Sequence, residues 1–241
     1  MKIRHLVHSC LLIDVAGRTV LVDPGGFSGE AVRGLEADLL SRIDAVAITH
    51  QHPDHVDRRL LAEVLSHASE AIVIAEPATA KQLAEPAEGA PAVEAEKVLA
   101  LSAGTAHEFG PVGDHASLRV QAVGGDHAII HPDIPRVGNT GLVLTADGEP
   151  RLGITGDSLE PVQEFHGIDA LAFAVVAPWS KMAETIDFLR AVRPRLALPV
   201  HDAVASDVGR PIYLRQSSNL APEGTEVRDW PEDGVVEVPA S

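Results

Sequence analysis

Short, almost wholly apolar runs of four to seven residues recur along this chain, each cut off by Gly, Pro, Asp or His. Runs of that length between turn-forming residues read as buried strands. Residues 10–15 and 19–22 open the series, joined by a turn at 16–18; Asp23-Pro24-Gly25-Gly26 stops the second run. Further strands are expected at 44–48, 71–75, 98–101, 117–123, 141–145, 152–155, 171–176 and 196–200. Helical spacing is rarer. It occurs at 57–65, with Leu60, Leu61, Val64 and Leu65 on one side, at 78–84 behind Glu76-Pro77, and at 183–192. Residues 29–42 read as a loop with a short helix, and the Ala/Glu/Pro-rich stretch 85–97 as a surface loop. No repeat period is visible. This order predicts two sheets flanked by helices, in one domain spanning residues 1–241.

Composition narrows that picture. Hydrophobic residues make up 45% of the chain but aromatics only 3%, so Val, Ile, Leu and Ala must fill the interior. The formal net charge of -16 repels polyanions, and no Lys/Arg run offsets it, so no nucleic-acid partner is expected. The single cysteine, Cys10, excludes an internal disulfide framework and fits a reducing compartment; within an apolar strand it reads as core. No signal-peptide pattern or membrane span is visible, so a cytoplasmic location is expected, with a small molecule as partner.

The candidate chemistry begins where the strand at 44–48 ends. Thr49-His50-Gln51-His52-Pro53-Asp54-His55 places three imidazoles and a carboxylate on one loop. That donor set suits zinc and similar divalent ions. His50 and His52, two apart in extended chain, point the same way and can grip one ion; Asp54 and His55 lie beyond the proline and can turn toward a second. With 12 histidines in the chain, a solvated loop with chance histidines is the competing reading. Three more donors also follow apolar strands: His127, after a turn expected at Gly124-Gly125; Asp157; and His201.

His-x-His-x-Asp-His, with the later His, Asp and His in that order, resembles the signature of the metallo-β-lactamase superfamily. His8-Ser9-Cys10-Leu11-Leu12-Ile13 and Val20-Leu21-Val22-Asp23-Pro24 are similar to one branch, which contains the L-ascorbate-6-phosphate lactonase and bacterial metal-dependent hydrolases. The resemblance runs from about His5 to about His201. It implies an α/β (α+β) fold, a four-layer αββα sandwich with two metal ions in a cleft at one edge of the sheets. It assigns His50, His52 and His127 to one ion and Asp54, His55 and His201 to the other, with Asp157 bridging. Zinc is the expected metal, with manganese and iron as alternatives.

Two such ions would activate a water as hydroxide, and Asp54 is the expected catalytic proton shuttle. The function this implies is hydrolysis of a small ester, lactone or phosphoester. A phosphodiesterase or nuclease-type hydrolase is one alternative; a non-catalytic metal-binding or sensor protein is the other. Nothing resembles the inserted domain of nucleic-acid-processing members, a flavodoxin-like domain, or a C-terminal helical domain.

Three further residues are candidates for substrate contact. His8 is expected either to touch substrate, to orient a ligand, or to make a structural hydrogen bond. His131 lines the pocket or lies on a surface loop, and Lys181 meets an anionic substrate or is solvated. His5, His107, His115 and His166 are read as structural or surface residues.

Overall fold

The computed structural model describes residues 1–240. The first half of the chain supplies β1 (Lys2–Val7), β2 (Cys10–Val15), β3 (Arg18–Val22), β4 (Ile43–Ile48), β5 (Ile72–Ala75) and β6 (Val98–Ala100). These lie side by side in chain order, antiparallel as far as β3 and parallel from there to β6. The second half repeats the plan with β7 (Ala106–Phe109), β8 (Leu118–Asp126), β9 (Gly138–Thr145), β10 (Leu152–Ile154), β11 (Ala170–Ala174), β12 (Leu196–Val200) and β13 (Glu226–Val227). Here the pairing is antiparallel to β10 and parallel beyond it. β14 (Val235–Glu237) then returns to pair with β1, so each sheet has seven strands.

Parallel neighbours need crossover connections, and all but the one between β10 and β11 contain an α-helix. Before β4 come two short helices, α1 (Gly29–Arg33) and α2 (Ala37–Ser41). α3 (Arg58–His67) joins β4 to β5, α4 (Pro77–Leu83) joins β5 to β6, α5 (Met182–Val192) joins β11 to β12, and α6 (Arg210–Leu220) leads from β12 to β13.

The layers follow from side-chain alternation along the strands. Leu11, Ile13, Val20, Ala45 and Ala47 of the first sheet pack with Val120, Leu142, Ile154, Ala172 and Leu198 of the second. Their neighbours point outward: Leu12, Val46 and Ile48 pack with Leu60, Leu61 and Val64 of α3, while Leu171, Phe173 and Ala197 pack with Phe188, Leu189 and Val192 of α5. Both faces of the central strands are therefore covered, which is why those strands are continuously apolar. The result is a four-layer αββα sandwich.

The pattern of the sequence misses several elements, for identifiable reasons. β1 carries Lys2, Arg4 and His5 among its apolar positions, so it has no continuous apolar run. β7 is only four residues long and carries His107 and Glu108 side by side. β13 and β14 span only two and three residues. α6 buries only Ser217 completely and so has no apolar stripe to betray it. The expected turn at Gly124-Gly125 is instead strand: β8 runs on to Asp126, with Gly124 and Gly125 paired to Thr140 and Asn139. Among the described residues no helix is long and apolar enough to cross a membrane.

Candidate metal centre

The parallel strands of both sheets end at one edge, and that edge carries the ligand-type residues. In open α/β sheets the carboxyl ends of the strands are where ligands bind, because the loops there are free to vary while the strands fix their roots. Thr49 to His55 follow β4, His127 follows β8, Asp157 lies just beyond β10, and His201 follows β12. The β1–β2 turn brings His8 to the same place, and His201 N donates to the His8 carbonyl at 3.0 Å across the two sheets. Five non-glycine residues among those described have left-handed backbone, and three of them (His8, Asp23 and His201) are here. Such conformations cost free energy and persist where surrounding contacts over-determine them.

Two groups of donors result. Ligand-type atoms of His50, His52, His127 and Asp157 lie within 4.8 Å of one another, as do those of His8, Asp54, His55 and His201. Asp157 connects the groups. Its Oδ2 is 3.2 Å from His127 Nε2 and 3.2 Å from His201 Nε2, and its Oδ1 is 3.0 Å from His55 Nε2. His50, His55, His127, His201 and Asp157 are all buried.

Hydrogen bonds on the far side of each ring fix which nitrogen faces inward. His55 Nδ1 donates to Asp23 Oδ2 at 2.8 Å, His127 Nδ1 to the Ala128 carbonyl at 2.6 Å, and His201 Nδ1 to the Val176 carbonyl at 2.8 Å. The Thr49 hydroxyl donates to Asp23 Oδ2, so its lone pair accepts from His50 Nδ1 at 3.1 Å. Each of these rings thus turns its Nε2 toward the others. His55 Nε2, His127 Nε2, His201 Nε2 and Asp157 Oδ1 are buried without any hydrogen-bond partner. Four converging polar atoms without partners would be costly in an ordinary protein interior. They fit divalent cations, whose ligands need bare lone pairs and whose imidazoles are oriented by such outer hydrogen bonds.

His8 differs. The Ala203 N–H donates to its Nδ1 at 3.2 Å, so the proton is on Nε2, which donates to Asp54 Oδ2 at 3.3 Å. His8 is therefore a donor to Asp54 rather than a further ligand, although it lies within the second group. This chemistry leaves Asp54, His55 and His201 as that group's candidate donors to an ion.

Electrostatics reflect the crowding. Burial, followed by the repulsion of His55, holds His50 well below the ordinary imidazole range; burial and His127 do the same, less strongly, for His52. Burial opposes the charge on His55, but the carboxylates of Asp157 and Asp23 outweigh it and raise His55 well above its usual value. Burial likewise disfavours ionised Asp157, and His55, His127 and His201 overcome that to keep it far below the carboxylate range. Asp54 is brought down to about 2: burial pushes up, but the His8 hydrogen bond and His55 push down further.

The site needs residues that ligand spacing alone does not reveal. Asp23 is one: buried, it takes bonds from Thr49 N, Thr49 Oγ1 and His55 Nδ1. Gly25 is another, since a Cβ there would lie 1.8 Å from the Asp54 carbonyl oxygen. Asn139 Oδ1 accepts from Asp157 N, and Trp179 Nε1 donates to Asp157 Oδ2 at 2.8 Å. A charged residue stopping an apolar strand at Val22-Asp23-Pro24 was the only sequence signal for any of them.

Two of the residues considered for substrate contact lie apart. His131 is exposed and its ring faces Asp133 at 3.7 Å. Lys181 is exposed and faces Glu184 of α5 at 3.6 Å. Neither joins the donor groups.

Comparison with known proteins agrees with this geometry. Protein Rv0786c of Mycobacterium tuberculosis is 37% identical over 98% of this chain and 99% of its own length. A UPF0173 metal-dependent hydrolase of Xanthobacter autotrophicus is 29% identical over 66% of this chain and 62% of its own. In structure, the metallo-β-lactamase fold protein YhfI of Bacillus subtilis superposes with a TM-score of 0.67 at 17% identity, covering 98% of each chain. The family model of the β-lactamase superfamily domain matches residues 2–201, a stretch that holds every donor described above, and the chain belongs to that superfamily.

Proposed function

We propose that this protein is a dinuclear metal-dependent hydrolase acting on a small ester, lactone or phosphoester. One observation carries the reading: buried, unpartnered Nε2 atoms of His55, His127 and His201 converge on a carboxylate, Asp157, that reaches both donor groups. The likeness to a relative named as a metal-dependent hydrolase supports it. His50, His52 and His127 would hold one ion, Asp54, His55 and His201 the other, and Asp157 both. Ions held there would supply Lewis acidity and lower the pKa of a coordinated water. Zinc is the metal proposed, on the imidazole and carboxylate donor set. A cytoplasmic location belongs to the same reading, from the lone buried Cys10.

The chain's own groups would handle the proton. Asp54 is half-buried and held ionised by the His8 donor, so it is free to accept a proton from the nucleophile. The His8 hydrogen bond also fixes which way the Asp54 carboxylate faces, so the proton it takes would be held beside the leaving group. Asp23, Thr49 and Trp179 hold the ligands in place while this happens.

Metal analysis combined with a panel of generic esters and phosphodiesters tests the reading. Two ions per chain with turnover is the expected result; two ions with no turnover on any substrate would turn the assignment to a metal-binding protein. Asp54→Asn should keep its metal and lose about a hundredfold in turnover. Near-normal rates would remove Asp54 from the proton-transfer role.

A further inference from the structure

Three loops at the donor-bearing edge carry most of the large apolar side chains exposed among the described residues. Among the described residues nine large apolar side chains are exposed, and six of them are Phe27 after β3, Ile129, Ile130 and Ile134 between β8 and β9, and Val204 and Val208 after β12. Each loop is tied to the site. Phe27 packs edge-on to His8 with ring centroids 5.0 Å apart, Ala128 N donates to the Asp157 carbonyl, and Ala203 N donates to His8. Ile129 also lines a cavity of about 800 Å³ that adjoins the donor residues, since its lining includes Ala128 beside His127, Ser158 beside Asp157, and Trp179, the donor to Asp157. Scattered exposed apolar residues are ordinary; a concentration around one site marks a place where something apolar docks.

Charge narrows what that something is. The cavity is lined by Asp126, Glu160, Glu184 and Asp187 against one cation, Arg136. Arg136 is already committed, donating to the His127 carbonyl and to Asp126 Oδ2. Lys181, on the separate segment before α5, is the exposed residue facing Glu184, and Arg210 after the β12 loop is bound by Asp202 and Asp229. Among the described residues that line this cavity, no free cation is left to receive a phosphate or carboxylate on the part of a substrate remote from the ions.

We propose that the cleft takes a neutral or cationic ester or lactone with an extended apolar group lying on the 129–134 loop, and rejects substrates whose remote end is anionic. This rests on the hydrolase reading above and specifies its substrate class. In the reaction, water's oxygen bonds to the acyl carbon, the acyl C–O bond breaks, and the proton leaves with the alcohol.

The test is built so that the two readings fail separately. Binding of acetohydroxamate, octanohydroxamate and suberic monohydroxamate to the zinc-loaded protein is measured by calorimetry. In parallel, turnover of p-nitrophenyl acetate, butyrate and octanoate is followed. A fully buried methylene is worth about fourfold in affinity, so octanohydroxamate should bind at least about tenfold tighter than acetohydroxamate even if only partly covered. Suberic monohydroxamate, with its terminal carboxylate, should be weaker than octanohydroxamate by about tenfold or more. The Ile129→Ser/Ile134→Ser double variant should erase most of the chain-length preference and leave acetohydroxamate binding unchanged.

Equal affinities, an anionic preference, no binding of octanohydroxamate, or a preference untouched by the double variant would each overturn the proposal. So would binding to phosphatidylcholine vesicles that the double variant abolishes, since the loops would then meet a membrane. Ranked hydroxamate binding without ester turnover keeps the substrate-class inference and removes the hydrolase. Turnover indifferent to chain length does the reverse.

Discussion

Asp23 Oδ2 accepts the Nδ1 proton of His55 at 2.8 Å, and this bond decides which nitrogen of His55 faces the donor cluster. The same carboxylate takes the Thr49 amide and hydroxyl, so one buried residue orients the whole start of the ligand loop. Asp23→Asn keeps the shape and tolerates the left-handed backbone at φ 45°. It also offers the ring a donor where it needs an acceptor. We expect metal affinity to fall about 10- to 100-fold, measured by competition with a chromophoric chelator. Unchanged affinity would show that the ring orientation is set elsewhere.

His8 should behave unlike the ligands. His8→Asn, chosen because Asn accepts the positive φ at this position, removes the imidazole donor to Asp54 and touches no bare lone pair. The variant should retain its full metal content while turnover falls about tenfold. His201→Asn should lose metal. Loss of an ion in both would make His8 a ligand after all.

Gly25 is a steric requirement rather than a conformational one. With φ at -85° any residue could adopt its backbone, yet its Cβ would strike the Asp54 carbonyl at 1.8 Å. Gly25→Ala should destabilise the fold by about 3 kcal/mol and lower metal content, because the ligand loop must move. At the neighbouring Gly26 the nearest atom is the Pro53 carbonyl oxygen at 3.4 Å. There Ala should change stability by no more than about 0.5 kcal/mol in urea titrations. Similar costs at the two positions would contradict the packing described.

Arg210 braces the loop that carries His201, bonding Asp202 Oδ2 and both carboxylate oxygens of Asp229. Its hydrogen bond holds the Asp229 carboxyl below its ordinary value. A depressed carboxyl contributes stability that is present above the unfolded pKa, about 4, and is lost as pH falls through the folded value. Arg210→Gln should therefore lower Tm by a few degrees near pH 7, corresponding to about 1 kcal/mol for a pair partly open to water. The gap to the wild type should close toward pH 3. A gap that persists at low pH would assign the effect to packing of the arginine stem.

Strands buried on both faces were legible because such burial forces continuous apolar runs, and 44–48 and 196–200 are nearly the observed β4 and β12. The ligand-type residues were legible because they stand where those runs stop. Elements with one face in solvent were not: β1 interleaves Lys2, Arg4 and His5 with Ile3 and Leu6, and α6 is mostly wet. The supporting residues were hidden for a different reason. Trp179 and Asn139 reach Asp157 from other elements, and nothing local in a sequence encodes which distant carboxylate an indole will meet. His8 could be placed near the cleft but its role could not, since that depends on an amide proton 195 positions away.

The donor groups draw on both sheets: His50, His52, Asp54 and His55 hang from the first, His127, Asp157 and His201 from the second. Ions held between them would act as rivets through the sandwich, joining chain segments about 75 residues apart at one ion and about 150 at the other. Neither half of the chain could then be expected to hold its ions alone, and prising the sheets apart would require ligand bonds to break first. Chelation should accordingly act on the rate of unfolding as well as on its midpoint, so that the ions set the lifetime of the fold as much as its chemistry.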